Sequence, residues 1–247
     1  MDMNAKRAAI SGWFVCALWF NSLAQPADLP GLWHAPKTSL AATHSTAAGN
    51  GIFVRVDGSC STVLHSVDGT YWTRHSSGTP CFLYAVAFGH GRFVAVGNEG
   101  TILNSLDGVT WKAVKSQTEE RLRGIAFANN LFVAVGFNGT ILTSKDGVTW
   151  KRRPVKTDDR LLAVNFGNDR FLAISKNGQI ISSADGKHWK RTAKINGTLA
   201  GLTYQDGAFI MATTDGATFT SCDGLVWIAA IPTTTLFTSA PAQERRR

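Results

Sequence analysis

The chain has 247 residues, 44% of them hydrophobic, with 24 glycines and a formal net charge of +8. That apolar content suffices for a packed core, which excludes a disordered chain. No long helical periodicity runs through the sequence, which excludes a helical bundle.

Residues 1–24 read as a secretory signal peptide. Lys6 and Arg7 form a short basic start, and residues 8–20 are apolar, too short for the ~20 residues of a membrane span. Ser22 and Ala24 are small residues at the spacing that a signal peptidase reads. Cleavage there leaves a net charge of +7 and three cysteines, Cys60, Cys81 and Cys222. The expected location is secreted or periplasmic, where a disulfide is permitted. Residues 25–39 read as a linker.

Residues 40–232 carry one motif five times, Ser-x-Asp-Gly-x-x-Trp. Its tryptophans are Trp72, Trp111, Trp150, Trp189 and Trp227, at intervals of 39, 39, 39 and 38 residues. Its aspartates are Asp68, Asp107, Asp146, Asp185 and Asp223. So regular a period means one supersecondary unit repeated. In the third copy, the apolar runs Leu122–Phe127, Leu131–Val135 and Thr140–Thr143 are separated by turn residues, and Val148–Val155 follows with alternating character. Four short antiparallel strands per ~40 residues describe a propeller blade. The expected fold is an all-β, five-bladed β-propeller of four-stranded antiparallel blades, about 39 residues each. The blades span about 40–81, 82–120, 121–159, 160–198 and 199–232, with a tail over 233–247. Ala85, Gly124, Ala163, Gly201 and, by position, Ser45 put small residues on the innermost strands, as a narrow axis would require.

The motif resembles the Asp-box, or BNR, repeat, in a form one residue shorter between Asp and Gly than the commonest pattern. The resemblance covers about 190 residues and implies a sialidase-like superfamily or photosystem II assembly-factor-like propeller. It implies a fold far more than an activity. Physically the motif is a structural hairpin. The Asp accepts backbone N–H bonds and closes the turn, Gly supplies an unusual backbone angle, and Trp covers the hairpin. Five single carboxylates do not make a calcium site, so neither metal nor cofactor is expected.

In the families this resembles, ligands bind on the face opposite the Asp-boxes. There the candidate binding residues are Glu99, Arg121, Arg123, Phe137, Arg160, Lys176 and Asp215. Cys60 and Cys81 fall on that same rim of blade 1, which predicts a Cys60–Cys81 disulfide. A sialidase would need an arginine triad, a Tyr–Glu pair and an acidic residue, and another glycosidase two facing carboxylates. Glu119, Glu120, Asp158 and Asp159 are acidic loop residues without that arrangement. Tyr84 and Tyr204 fall on inner strands as core or channel lining. The chain is therefore read as leaning away from an enzyme.

Residues 145–194 hold 12 Lys and Arg against 5 Asp. Lys151, Arg152, Arg153, Lys156, Lys190, Arg191 and Lys194 form an expected basic patch on two outer strands, suited to an acidic surface, polysaccharide or protein. The same charges would also discourage edge-to-edge strand pairing. The last outer strand, Trp227–Pro232, is apolar on both faces and offers an edge for oligomerisation or docking. The reading is an exported, non-catalytic binding or assembly module with a protein partner. A lectin-like propeller and a glycoside hydrolase are the alternatives. Nucleic acid is not expected as a partner, and membrane association would be peripheral at most.

Overall fold

The structure, a computed structural model, describes residues 45–229. The expected signal peptide, linker and tail lie outside the described residues. Five four-stranded antiparallel sheets follow one another along the chain. The first holds β1 (Ser45–Gly49), β2 (Ile52–Val56), β3 (Thr62–Ser66) and β4 (Thr73–Ser76). The second holds β5 (Leu83–Gly89), β6 (Arg92–Gly97), β7 (Ile102–Ser105) and β8 (Lys112–Val114). The third holds β9 (Leu122–Ala128), β10 (Leu131–Gly136), β11 (Ile141–Ser144) and β12 (Lys151–Arg152). The fourth holds β13 (Leu161–Gly167), β14 (Arg170–Ser175), β15 (Gln179–Ser183) and β16 (Lys190–Lys194). The fifth holds β17 (Leu199–Gln205), β18 (Ala208–Thr213), β19 (Thr218–Ser221) and β20 (Ile228–Ala229). Each sheet is a blade of the β-propeller, with its strands in sequence order from axis to rim.

Local chemistry sets these hairpins. The turn between the first two strands of each blade is Asn50-Gly51, His90-Gly91, Asn129-Asn130, Asn168-Asp169 or Asp206-Gly207, and both residues have positive φ every time. That is the two-residue type I′ turn, whose twist matches the strands it joins. The third and fourth strands are joined by the Asp-box. In blade 3, Asp146 Oδ1 accepts the N–H groups of Val148 (2.9 Å) and Thr149 (2.7 Å). Ser144 Oγ donates to the same carboxylate at 2.8 Å and accepts from Gly147 N at 2.8 Å. Trp150 Nε1 donates to Gly147 O at 3.3 Å. Ser, whose part the residue pattern did not suggest, thus ties the two halves of the turn together. The N–H bonds hold the Asp107 and Asp146 carboxyls far below the usual carboxylate range.

The core lies between blades. One cluster joins Val54, Val56 and Val63 to Leu83, Val86, Phe93, Ala95 and Leu103. A second joins Val94, Val96 and Ile102 to Leu122, Phe132, Leu142 and Trp150. Corresponding clusters join blade 3 to blade 4 and blade 4 to blade 5. Two close fits recur at these seams. The aromatic ring near the end of an inner strand covers the small residue that ends the previous one: a Cβ on Gly49 would lie 2.3 Å from Phe88, on Gly89 2.3 Å from Phe127, and on Gly167 2.3 Å from Tyr204. The Asp-box glycines of blades 2–5 also abut the preceding blade, with a Cβ on Gly108 meeting Val54 at 2.7 Å and one on Gly186 meeting Leu131 at 2.6 Å. These glycines therefore serve backbone angle and blade approach at once.

The inner strands β1, β5, β9, β13 and β17 surround an axial cavity of about 800 Å³. The small residues expected on the innermost strands sit where those strands crowd together. They let neighbouring inner strands approach one another, since a Cβ on Gly124 would lie 3.0 Å from Ala163 Cα. Ser45 Oγ lies across the first such seam, bonding both Val86 N (3.1 Å) and Val86 O (3.4 Å).

Candidate functional site

Because inner strands start at the face opposite the Asp-boxes, their first residues and the turns between second and third strands share one rim. On that rim Arg121 precedes β9, Arg123 is its second residue, and Arg160 precedes β13. Phe137 and Lys176 come from the turns after β10 and β14. These five residues line one pocket of about 290 Å³ with Leu162, Leu199 and Thr214. Phe137 is the centre of the group. The guanidinium carbons of Arg121 and Arg160 each stand 5.1 Å from its ring centroid. Arg123 lies over the ring of Tyr84, 4.1 Å from the centroid, and Arg121 is 5.9 Å from that ring. Tyr84 is oriented in turn by its hydroxyl, which bonds Asn98 Oδ1 at 3.1 Å.

The aromatic faces hold the guanidinium planes in place without consuming their N–H donors. Among the described residues no ion pair neutralises these cations; on the far face His188 Nδ1 lies 2.7 Å from Asp185 Oδ2. The arrangement is therefore suited to a planar anion such as a carboxylate, with an apolar or aromatic group alongside. Arg123 and Leu162 also line the axial cavity, so the pocket opens at its mouth.

Two expected members stand apart. Glu99 lies in blade 2 beside Cys81, whose Sγ is 3.7 Å from Glu99 Oε2. Asp215 is bonded to Thr213 Oγ1 and closes its own turn in blade 5, with its carboxyl lowered by that bond and by Ala217 N–H. Leu162, Leu199 and Thr214 were not among the expected binding residues, and Tyr84 was expected only as core or channel lining. Tyr84 and Leu162 occupy the second position of an inner strand, as Arg123 does, so comparing that position across blades finds them.

The acidic loop residues are used locally. Glu120 Oε1 accepts from Asn138 Nδ2 at 2.8 Å, and Asp159 accepts from Asn177 at 2.7 Å and from Ser175 at 3.3 Å. Tyr204 fills the Gly167 seam, with its hydroxyl bonding Asn168 at 2.9 Å. Among the described residues no cluster of His, Cys, Asp or Glu could hold a metal ion.

Cys60 and Cys81 are free thiols, so the expected disulfide is not formed. Cys60 pairs across an isolated β-bridge with Phe82. Cys81, next to Phe82, lies in a bend, and its Sγ is drawn to Glu99 Oε2 at 3.7 Å. Of the basic patch, Lys151, Arg152, Lys156, Lys190, Arg191 and Lys194 are exposed, but Arg153 is half-buried, and its Nε donates to Thr143 Oγ1 at 2.8 Å. Arg153 is thus a strand-to-strand tie. In the last outer strand Ile228 is 63% exposed, and residues 230–232 lie outside the described residues.

A family model described as photosynthesis system II assembly factor YCF48 matches residues 103–246. No curated protein matches the chain. Solved structures that resemble it include YCF48 bound to D1 peptide, at 20% identity and a TM-score of 0.57, covering 78% of this chain and 67% of that one. YCF48 from Cyanidioschyzon merolae is similar at 16% identity and a TM-score of 0.55, covering 78% and 73%. A streptogramin B lyase shares the fold at 11% identity and a TM-score of 0.60, covering 73% and 68%.

Proposed function

The chain belongs to the family of the photosynthesis system II assembly factor YCF48, and from that premise we propose that it is an exported, non-catalytic propeller that binds an acidic peptide segment of a partner protein. The observation that carries the reading is the set of cations Arg121, Arg123, Arg160 and Lys176, outside any ion pair among the described residues, with the three arginines over Phe137 and Tyr84. A peptide carboxylate would be received by the guanidinium forks, and an adjoining aromatic or aliphatic side chain by Phe137 and Leu162. A YCF48 has been solved with a D1 peptide, which supports a peptide as the kind of ligand. Export rests on the apolar leader and its small-residue cleavage position. The exposed lysines and arginines of the outer strands would add long-range attraction for an acidic partner.

The test is fluorescence anisotropy with a fluorescein-labelled decapeptide of alternating Glu and Tyr, alongside a Lys–Tyr decapeptide of equal length. The acidic probe is expected to bind, and the variant Arg123→Ala to weaken it about tenfold or more, as a lost charge-assisted bond would. Equal binding of both probes, or an acidic probe indifferent to Arg121, Arg123 and Arg160, would overturn the reading.

A further inference from the structure

Five blades make four well-packed seams. Inner strand β1 packs on β5, β5 on β9, β9 on β13 and β13 on β17, while β17 and β1 do not pack to a comparable extent among the described residues. Both recurring fits fail at that place. The position taken by Phe88, Phe127, Phe166 and Tyr204 is Ala48 in blade 1, and the small residue that should receive a ring is Gln205 in blade 5. Ala48 and Gln205 are both exposed. Gly69, the Asp-box glycine of blade 1, has Phe53 of its own blade as its nearest neighbour at 3.6 Å, where every other Asp-box glycine abuts the previous blade.

The two facing surfaces keep some apolar residues, Phe53 and Leu64 on blade 1 and Ile210 and Ala212 on blade 5, but are more polar than the inner seams. In blade 1, Arg55 stands where blades 2–4 have Ala95, Ala134 and Ala173. It lies 4.0 Å from the ring centroid of Trp72 and donates to Thr46 Oγ1 at 3.2 Å. An arginine here does what a neighbouring blade does for the other tryptophans. Blade 5 presents Thr203, Thr218 and Gln205 where inner blades have Ala87, Ile102 and Gly89. Polar outer faces are what terminal units of repeat proteins carry. Both lips also line the axial cavity, through Ser45 and Thr46 on one side and Gly201 and Thr203 on the other.

We propose that the gap between blade 5 and blade 1 is a side entrance, through which an extended acidic segment of a partner polypeptide is laid into the axial cavity without threading a free end. This rests on the peptide-binding reading. The cavity, about 800 Å³, is of the size that binding sites commonly reach. Its lining carries one cation, Arg123, and one carboxylate, Asp57, and its mouth adjoins Arg121, Arg160 and Lys176, so the excess positive charge at the mouth favours an acidic segment. An internal loop of a folding partner is as suitable an occupant as a terminus.

Two measurements test it. Spin labels at Ala48→Cys and Gln205→Cys, with the other cysteines changed to Ser, report the gap directly. An open gap places them well beyond the ~10 Å spacing of packed sheets, and a separation near one such spacing overturns the proposal. A separation that shortens as protein concentration rises assigns the gap to a second copy and also overturns it. The acidic decapeptide is then compared free and held between two folded domains. Side entry predicts affinities within about threefold of each other; a held segment more than about thirtyfold weaker overturns it while leaving peptide binding intact. Binding of neither form removes the peptide-binding reading, and side entry with it.

Discussion

The ring of Phe127 occupies the space that a side chain on Gly89 would need, 2.3 Å from the position of its Cβ. Phe127 cannot retreat freely, because it packs at a tilt against Phe132 with centroids 4.5 Å apart. Gly89→Ala should therefore lower stability by about 1–3 kcal/mol through overpacking. Urea denaturation followed by tryptophan fluorescence measures it. Gln205→Ala, at the equivalent position of blade 5, should be close to neutral because no ring covers that place.

Arg55 shields an aromatic face that has no blade against it. Arg55→Ala should red-shift the emission of Trp72 and promote concentration-dependent association, visible by sedimentation, as an exposed apolar sheet face invites. Arg55→Lys should recover less than half of the effect, since an ammonium stacks on indole less well than a guanidinium. An unchanged monomer with unchanged emission would show that Arg55 covers nothing of consequence.

Arg160→Lys keeps the charge at the pocket and removes the flat group that stands against Phe137. Probe affinity should drop by about three- to tenfold, corresponding to roughly 1 kcal/mol for the cation–π contact and bidentate geometry. The salt dependence of binding should persist. Arg160→Ala should weaken binding further and flatten the salt dependence, which anisotropy at two ionic strengths resolves.

Blade count, strand order and turns were legible in the sequence, because the tryptophan interval and the Asp-Gly and Asn-Gly pairs act locally. The candidate pocket was legible in part. Arg121, Arg123, Phe137, Arg160 and Lys176 fall on one rim by topology alone, whereas Tyr84, at the second inner-strand position that Arg123 also occupies, shows itself only when blades are compared position by position. Glu99 and Asp215 occupy equivalent turns yet are drawn into contacts of their own. The gap was also written in the chain, as Ala48 for an aromatic residue and Arg55 for an alanine. It becomes visible only when each blade is compared with the next at the level of seam contacts.

Acid should loosen the Asp-box turns. Their carboxyls are depressed in the folded chain, chiefly by backbone N–H bonds in Asp68 and Asp107, while in Asp185 and Asp223 such bonds outweigh an opposing burial effect. A depressed carboxyl contributes stability above its unfolded pKa of ~4 and loses it as pH falls toward the folded value. Stability should thus be level through neutral pH and decline progressively below about pH 4. Asp146→Ala should cost roughly 1–2 kcal/mol at pH 7 and less at pH 2, where part of the carboxylate's contribution has been lost, as thermal melts at the two pH values would record.

Cys60 is exposed and Cys81 half-buried. Alkylation of the native protein without reductant, read by peptide mass, should modify Cys60 rapidly and Cys81 more slowly. Absence of adducts on both would indicate a bond between them.

Among the described residues, four seams for five blades make an array that is energetically a line with two ends. Each terminal blade is held by one neighbour, whereas blade 3 is held by two and contains the fully buried Trp150. In such an array, nearest-neighbour coupling makes opening begin at the ends and travel inward. Amide hydrogen exchange should therefore be slowest in β10 and β11 and fastest in β1 and β20. Within that gradient, an occupant bridging the first and last blades would protect amides at both ends of the chain together.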